Sequence, residues 1–142
     1  PGTSLVQLLQ LPPEHSTTEE AMQLATMTED IHDLFRQLRL GLGFSLAKLS
    51  RALQQEMQAE KALTSAALWA WEKPASELHS KLPGRDTFPG TDPLTVYGAL
   101  FEQQGKGAWF KQHEGHFRHL LQTARQQKAT HAEYDQPNLR AR

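Results

Sequence analysis

Cysteine is absent from the 142 residues, which removes disulfides, thiolate nucleophiles and Cys-ligated zinc together. That absence fits a reducing compartment, so a cytoplasmic location is expected, or a nuclear one in a eukaryote. No apolar run approaches the roughly 20 residues that a membrane span needs. The first residues have neither the basic start nor the apolar stretch of a signal peptide, so no membrane partner is expected. Runs alternating apolar and polar and rich in Val, Ile and Thr are missing, which argues against strands. Missing too are a nucleophile paired with a base, a glycine loop followed by a phosphate-binding Lys, and clustered carboxylates. An enzyme is therefore not expected, nor a cofactor.

A large excess of either charge is lacking as well, the net value being −1. The charges are nevertheless unevenly spread. Residues 1–35 hold Glu14, Glu19, Glu20, Glu29, Asp30 and Asp33 with no Lys or Arg, a net −6. Residues 36–85 hold Arg36, Arg39, Lys48, Arg51, Lys61, Lys73, Lys81 and Arg85 against Glu56, Glu60, Glu72 and Glu77, a net +4. A positive centre behind an acidic front suits a phosphate-facing middle segment, although helices also carry mixed charge outward as ordinary solvated faces.

What is present is helical periodicity. Residues 4–11 read as a short helix stopped by Pro12 and Pro13. Its Leu5-Val6-Gln7-Leu8-Leu9 has the form of a groove-docking motif, for which burial against the chain's own core is the expected fate and a partner or self-association surface the alternative. Thr17 and Glu20 form a capping box opening a helix to about Met27, with Ala21, Leu24 and Ala25 inward. Ile31, Leu34, Phe35, Leu38 and Leu42 mark the clearest amphipathic helix, broken by Gly41 and Gly43. Ser45 caps a helix to about Ala59, and Thr64 or Ser65 caps a short one ending before Pro74. The proline-rich residues 74–93 read as a long connection, with at most one helical turn around 75–82. Pro93 opens a helix to Gln104 with Gly105 as its stop, and residues 110–128 read as the last helix, followed by a frayed polar tail. His113, His116 and His119 recur every third residue on that last helix but drift around it, so no metal site is expected.

From Phe35 to Glu72 the order is a helix, Gly41-Leu42-Gly43-Phe44, the capped Ser45-Leu46-Ala47-Lys48-Leu49 and then Leu63-Thr64-Ser65-Ala66-Ala67-Leu68-Trp69-Ala70-Trp71-Glu72. This order resembles the helix-turn-helix of the phage-repressor-like (XRE) family and its relative, the POU-specific domain. The resemblance implies an all-α fold of six or seven helices around a lambda-repressor-like core. It divides the chain into an acidic helical extension (1–27), the helix-turn-helix domain (28–104), a C-terminal helical extension (105–130) and a flexible tail (131–142). It further implies that Arg39 and Glu72 form a structural ion pair and that Leu68 is the buried apolar residue of the recognition helix. Departures are about nine extra residues at 54–62, closer to the longer POU-type turn, a longer 74–93 connection, and Leu46 where many members carry Gln.

The implied function is DNA binding, as a transcriptional regulator. A recognition helix reads base edges near its N-terminus while flanking cations and amides hold phosphates. On this alignment Thr64, Ser65, Ala66, Trp69 and Ala70 face the groove, and Ser45, Lys48, Arg51, Lys61 and Lys73 meet phosphate. The partner is double-stranded DNA, and a homodimer through the N- or C-terminal helices is implied because such proteins often pair on two half-sites. Trp69 can contact sugar or a thymine methyl, but packing beneath residues 54–62 is the favoured expectation. The rival function is a helical protein-interaction module that keeps the fold without binding DNA, supported by the near-neutral charge and a groove face lacking Arg, Asn or Gln.

Overall fold

A computed structural model of the chain describes residues 13–73, 81–84 and 87–135, with side chains described for 18–73, 81–84 and 87–128. The described residues form six helices and no strand, an all-α fold: α1 (Pro13–Met27), α2 (Ile31–Leu42), α3 (Leu46–Met57), α4 (Ser65–Glu72), α5 (Pro93–Gln103) and α6 (Gly107–Asp135). The expected helix at 4–11, the Leu-x-x-Leu-Leu segment and the end of the tail lie outside the described residues, as does most of 75–82. None of the described helices is long and apolar enough to cross a membrane.

Helix α2 is the centre, packing against α1, α4, α5 and α6. Its apolar positions recur at helical spacing, so Leu34, Phe35 and Leu38 are wholly buried and Ile31 and Leu42 nearly so. Asp30 caps its start by accepting from the His32 amide at 3.0 Å. Only Gly43 ends it, at φ 74°. Contrary to expectation, Gly41 stays helical, because Met22 of α1 and Phe101 of α5 close on its bare Cα, and a Cβ there would meet Met22 Cγ at 3.0 Å. The α2 carbonyls of Gly41 and Leu42 accept from Lys106 Nζ at 3.0 Å and Gln104 Nε2 at 2.9 Å, so the α5–α6 turn closes this end.

Two groups of rings fill the core. Phe88, Trp71, Phe35 and Tyr97 follow one another at centroid distances of 5.6–5.9 Å. Phe101, Phe110 and Phe117 form the second, with Trp109 against all three. Tilted pairs at this range add favourable quadrupole contacts to the buried area. Phe88, only 1% exposed, comes from the connection before α5 and anchors what the sequence presented as a plain loop.

Several boundaries differ from the sequence reading. Helix α1 starts at Pro13 and not at Thr17, since proline at the first helical position gives up an amide that has no partner there. Leu24 on α1 is 47% exposed while Ala21, Ala25 and Met22 supply the inner face. Helix α6 is longer at both ends than 110–128. Gly107 allows its first turn to press on Glu102 of α5, and no proline interrupts the chain before Pro137. The tail expected from residue 131 is therefore helical to Asp135. Ala25 of α1 and Phe110 and Phe117 of α6 belong to the same core as Phe35 and Trp71.

Candidate nucleic-acid interface

The turn between α2 and α3 is held by one guanidinium. Arg39 Nε and Nη2 donate to the two carboxylate oxygens of Glu72 at 2.8 and 2.9 Å, and Nη1 donates to the Phe44 carbonyl at 2.9 Å. The Arg39–Glu72 pair implied by the sequence is thus present and bidentate, with side chains 15% and 7% exposed. One residue fixes the end of α2, the path of the chain into α3 and the last turn of α4, which point charges on flexible stems would not do. Tyr97 is buried close by. Burial first, then the Glu72 charge, push its phenol above the ordinary tyrosine range against the opposing Arg39, so it stays neutral.

Helix α3 opens on Ser45, whose hydroxyl accepts from the Lys48 amide at 3.1 Å. Leu49 and Leu53 are buried, while Lys48 and Arg51, three residues apart on the same helix side, are exposed. Residues 58–64 join α3 to α4. Gln58 takes the left-handed conformation at φ 53°, Gln54 Nε2 donates to the Ala59 and Glu60 carbonyls, and Ser50 Oγ donates to the Leu63 carbonyl. The inserted segment is therefore pinned to α3, which fixes where α4 begins.

Helix α4 has a distinct inner and outer side. Thr64 caps it by accepting from the Ala67 amide at 3.0 Å. Leu68, Ala70 and Trp71 turn inward, while Ser65, Ala66 and Trp69 are exposed. Its C-terminal carbonyls are taken up in turn: Lys81 N donates to Ala70 O at 3.0 Å, and His32 Nδ1 donates to Trp71 O at 2.8 Å. Because a carbonyl only accepts, this bond places the proton of a neutral His32 on Nδ1. Neither support was read from the sequence. His32 follows Ile31 on a buried stretch, and that position was the available signal.

The groove-facing set needs two corrections. Ala70 is buried against the core and does not belong to it. Trp69 does not pack under residues 54–62; it is 49% exposed, with Lys73 Nζ lying 3.6 Å from its ring centroid. The ammonium is held by the electron-rich ring face, a cation–π contact. Thr64, Ser65, Ala66, Lys48, Arg51, Lys61 and Ser45 are exposed as expected, and Lys73 is half-buried. Lys48 Nζ also sits over the Phe44 ring at 4.9 Å.

The three histidines of α6 read as a possible metal set, His113, His116 and His119, are differently placed. The His113 ring lies tilted against Trp109 at a centroid distance of 5.6 Å, His116 Nε2 donates to the Thr28 carbonyl at 2.9 Å, and His119 is exposed. Among the described residues no group of three or more His, Asp or Glu side chains is placed to hold a metal ion. No protein-family model, curated protein or solved structure matches the chain.

Proposed function

We propose that the chain binds double-stranded DNA, with α4 as the helix entering the major groove and α3 beside it on the phosphates, and that it acts as a transcriptional regulator of helix-turn-helix type. The observation carrying this reading is the Arg39 clamp, which ties the α2–α3 turn and the end of α4 together while the start of α4 projects Ser65, Ala66 and Trp69 outward. A rigidly seated short helix with a capped, exposed N-terminal turn is the arrangement a groove reader needs. Lys48, Arg51 and Lys61 supply the phosphate-facing charge, assisted by Ser45 and the first amides of α3. The acidic α1 belongs away from the nucleic acid.

A second reading, a protein-interaction module, is favoured by the net charge of −1 and by the exposed apolar Trp69. The two separate on salt. Contacts to several phosphates release counterions and weaken steeply as salt rises, whereas an apolar protein interface barely responds. The test is binding to a random-sequence duplex pool at low and moderate salt, beside a Lys48→Glu/Arg51→Glu variant. Salt-sensitive binding lost in the variant is expected. Equal binding by the variant removes α3 from the interface, and no binding at low salt removes the DNA reading.

A further inference from the structure

We propose that the outer side of α4 recognises the C5-methyl groups of pyrimidines, with Trp69 and Ala66 as the contacting surface; the inference rests on the DNA reading above. The hydrogen-bonding inventory of that side is small. Ser65 offers a hydroxyl, the Thr64 hydroxyl is engaged in capping, and no Arg, Asn or Gln is carried on α4 to make a bidentate contact with guanine or adenine. What the side offers instead is apolar area, since Ala66 is exposed and half of Trp69 is open to solvent.

Other large apolar residues exposed among the described ones, Leu24 and Met27, lie on the acidic α1, whereas Trp69 stands in the cationic part of the chain. A partner that combines negative charge with an apolar group matches that surface. The major groove does so: phosphates line it, and the pyrimidine methyl is the apolar feature of its base edges. Lys73 adds a second argument. Its ammonium caps one face of the Trp69 ring at 3.6 Å, which limits the rotamers of both side chains before binding.

Thymine and 5-methylcytosine carry the same methyl, and four versions of one random-sequence duplex pool separate them: thymine or deoxyuridine, each with cytosine or 5-methylcytosine. Binding of the full chain is measured to all four at low and moderate salt. The thymine pool is expected to bind more tightly than the deoxyuridine pool, by about fourfold for each methyl buried. Tighter binding of the methylated deoxyuridine pool than of the unmethylated one extends the recognition to 5-methylcytosine; a preference seen with thymine alone confines it to that base.

Trp69→Ala should bring the thymine pool down to the deoxyuridine level and leave salt sensitivity intact, with Trp69→Leu between the two. Four pools bound equally, and with undiminished salt sensitivity, overturn the methyl inference while the DNA reading stands. Absence of salt-sensitive binding to any pool overturns the DNA reading itself. The pool comparison uses the unaltered chain, so it does not depend on how a variant folds.

Discussion

Trp69 and Trp71 stand two residues apart on one eight-residue helix and meet opposite surroundings. Trp71 is 4% exposed, its ring between Phe35 and Phe88 and its carbonyl taken by His32. Trp69 is 49% exposed, and the Lys73 ammonium lies over its ring. The inner side of α4 is thus held by packing, an ion pair and hydrogen bonds to other elements, while the outer side is left with little besides a cap and a cation. A helix this short has little stability of its own in water. The inner side therefore carries the folding energy, which frees the outer side to be chosen for recognition.

The comparison breaks most visibly at Trp71. Trp71→Ala should cost about 4 kcal/mol, the range for removing a large buried aromatic. Urea denaturation followed by far-ultraviolet circular dichroism measures it, and a loss below about 1 kcal/mol would mean that α4 is not seated by this ring.

Next in size is the clamp. Glu72→Ala leaves the Arg39 guanidinium mostly buried without its carboxylate and should cost about 3 kcal/mol. The apolar double replacement Arg39→Met/Glu72→Leu should recover most of that loss, because breaking such a pair costs more than replacing it. If the loss instead doubles, the two side chains act independently.

A smaller effect is expected away from α4, at Asp92, which caps α5 through the Thr95 amide at 3.0 Å and pairs with Arg118 at 3.1 Å. Burial by itself raises its pKa, but the Thr95 hydrogen bonds and the Arg118 charge outweigh burial and hold the carboxyl below its ordinary range. A depressed folded value gives stability that is fully present above the unfolded value of about 4 and is lost as pH falls through the folded one. Asp92→Ala should therefore cost about 1 kcal/mol at neutral pH. Denaturation midpoints compared at decreasing pH should show the gap between variant and parent narrowing below about 4. A gap independent of pH would assign the effect to the helix cap's shape and not to its charge.

The smallest effect is predicted where the outer side is cut. Trp69→Ala should change stability by no more than about 0.5 kcal/mol, as at other exposed positions. A loss approaching that of Trp71→Ala would make Trp69 a structural residue and end the contrast between the two sides.

Much of the helix pattern is legible in the residues themselves. Ser45 and Thr64 cap two helices, Pro93 opens α5 and Gly43 ends α2, through local hydrogen bonds and backbone freedom that neighbouring residues suffice to decide. The inner residues of α2 follow from helical spacing for the same reason. Of the candidate site, the Arg39–Glu72 pair could be anticipated only from resemblance, since the partners lie 33 residues apart. Less legible were elements whose fate hangs on a distant surface. Gly41 reads as a breaker until Met22 and Phe101 are found against it. Phe88 reads as loop until Trp71 is found beside it.

The sequence by itself determined the all-helical class, the starts of α2 to α5 and the uneven spread of charge, because capping, periodicity and charge are properties of residues near one another in the chain. Tertiary structure alone decided which tryptophan of α4 is buried. Both are equally apolar and both fit a short helix; what separates them is that Phe35, Phe88 and His32, remote in sequence, converge on one side of that helix and leave the other open.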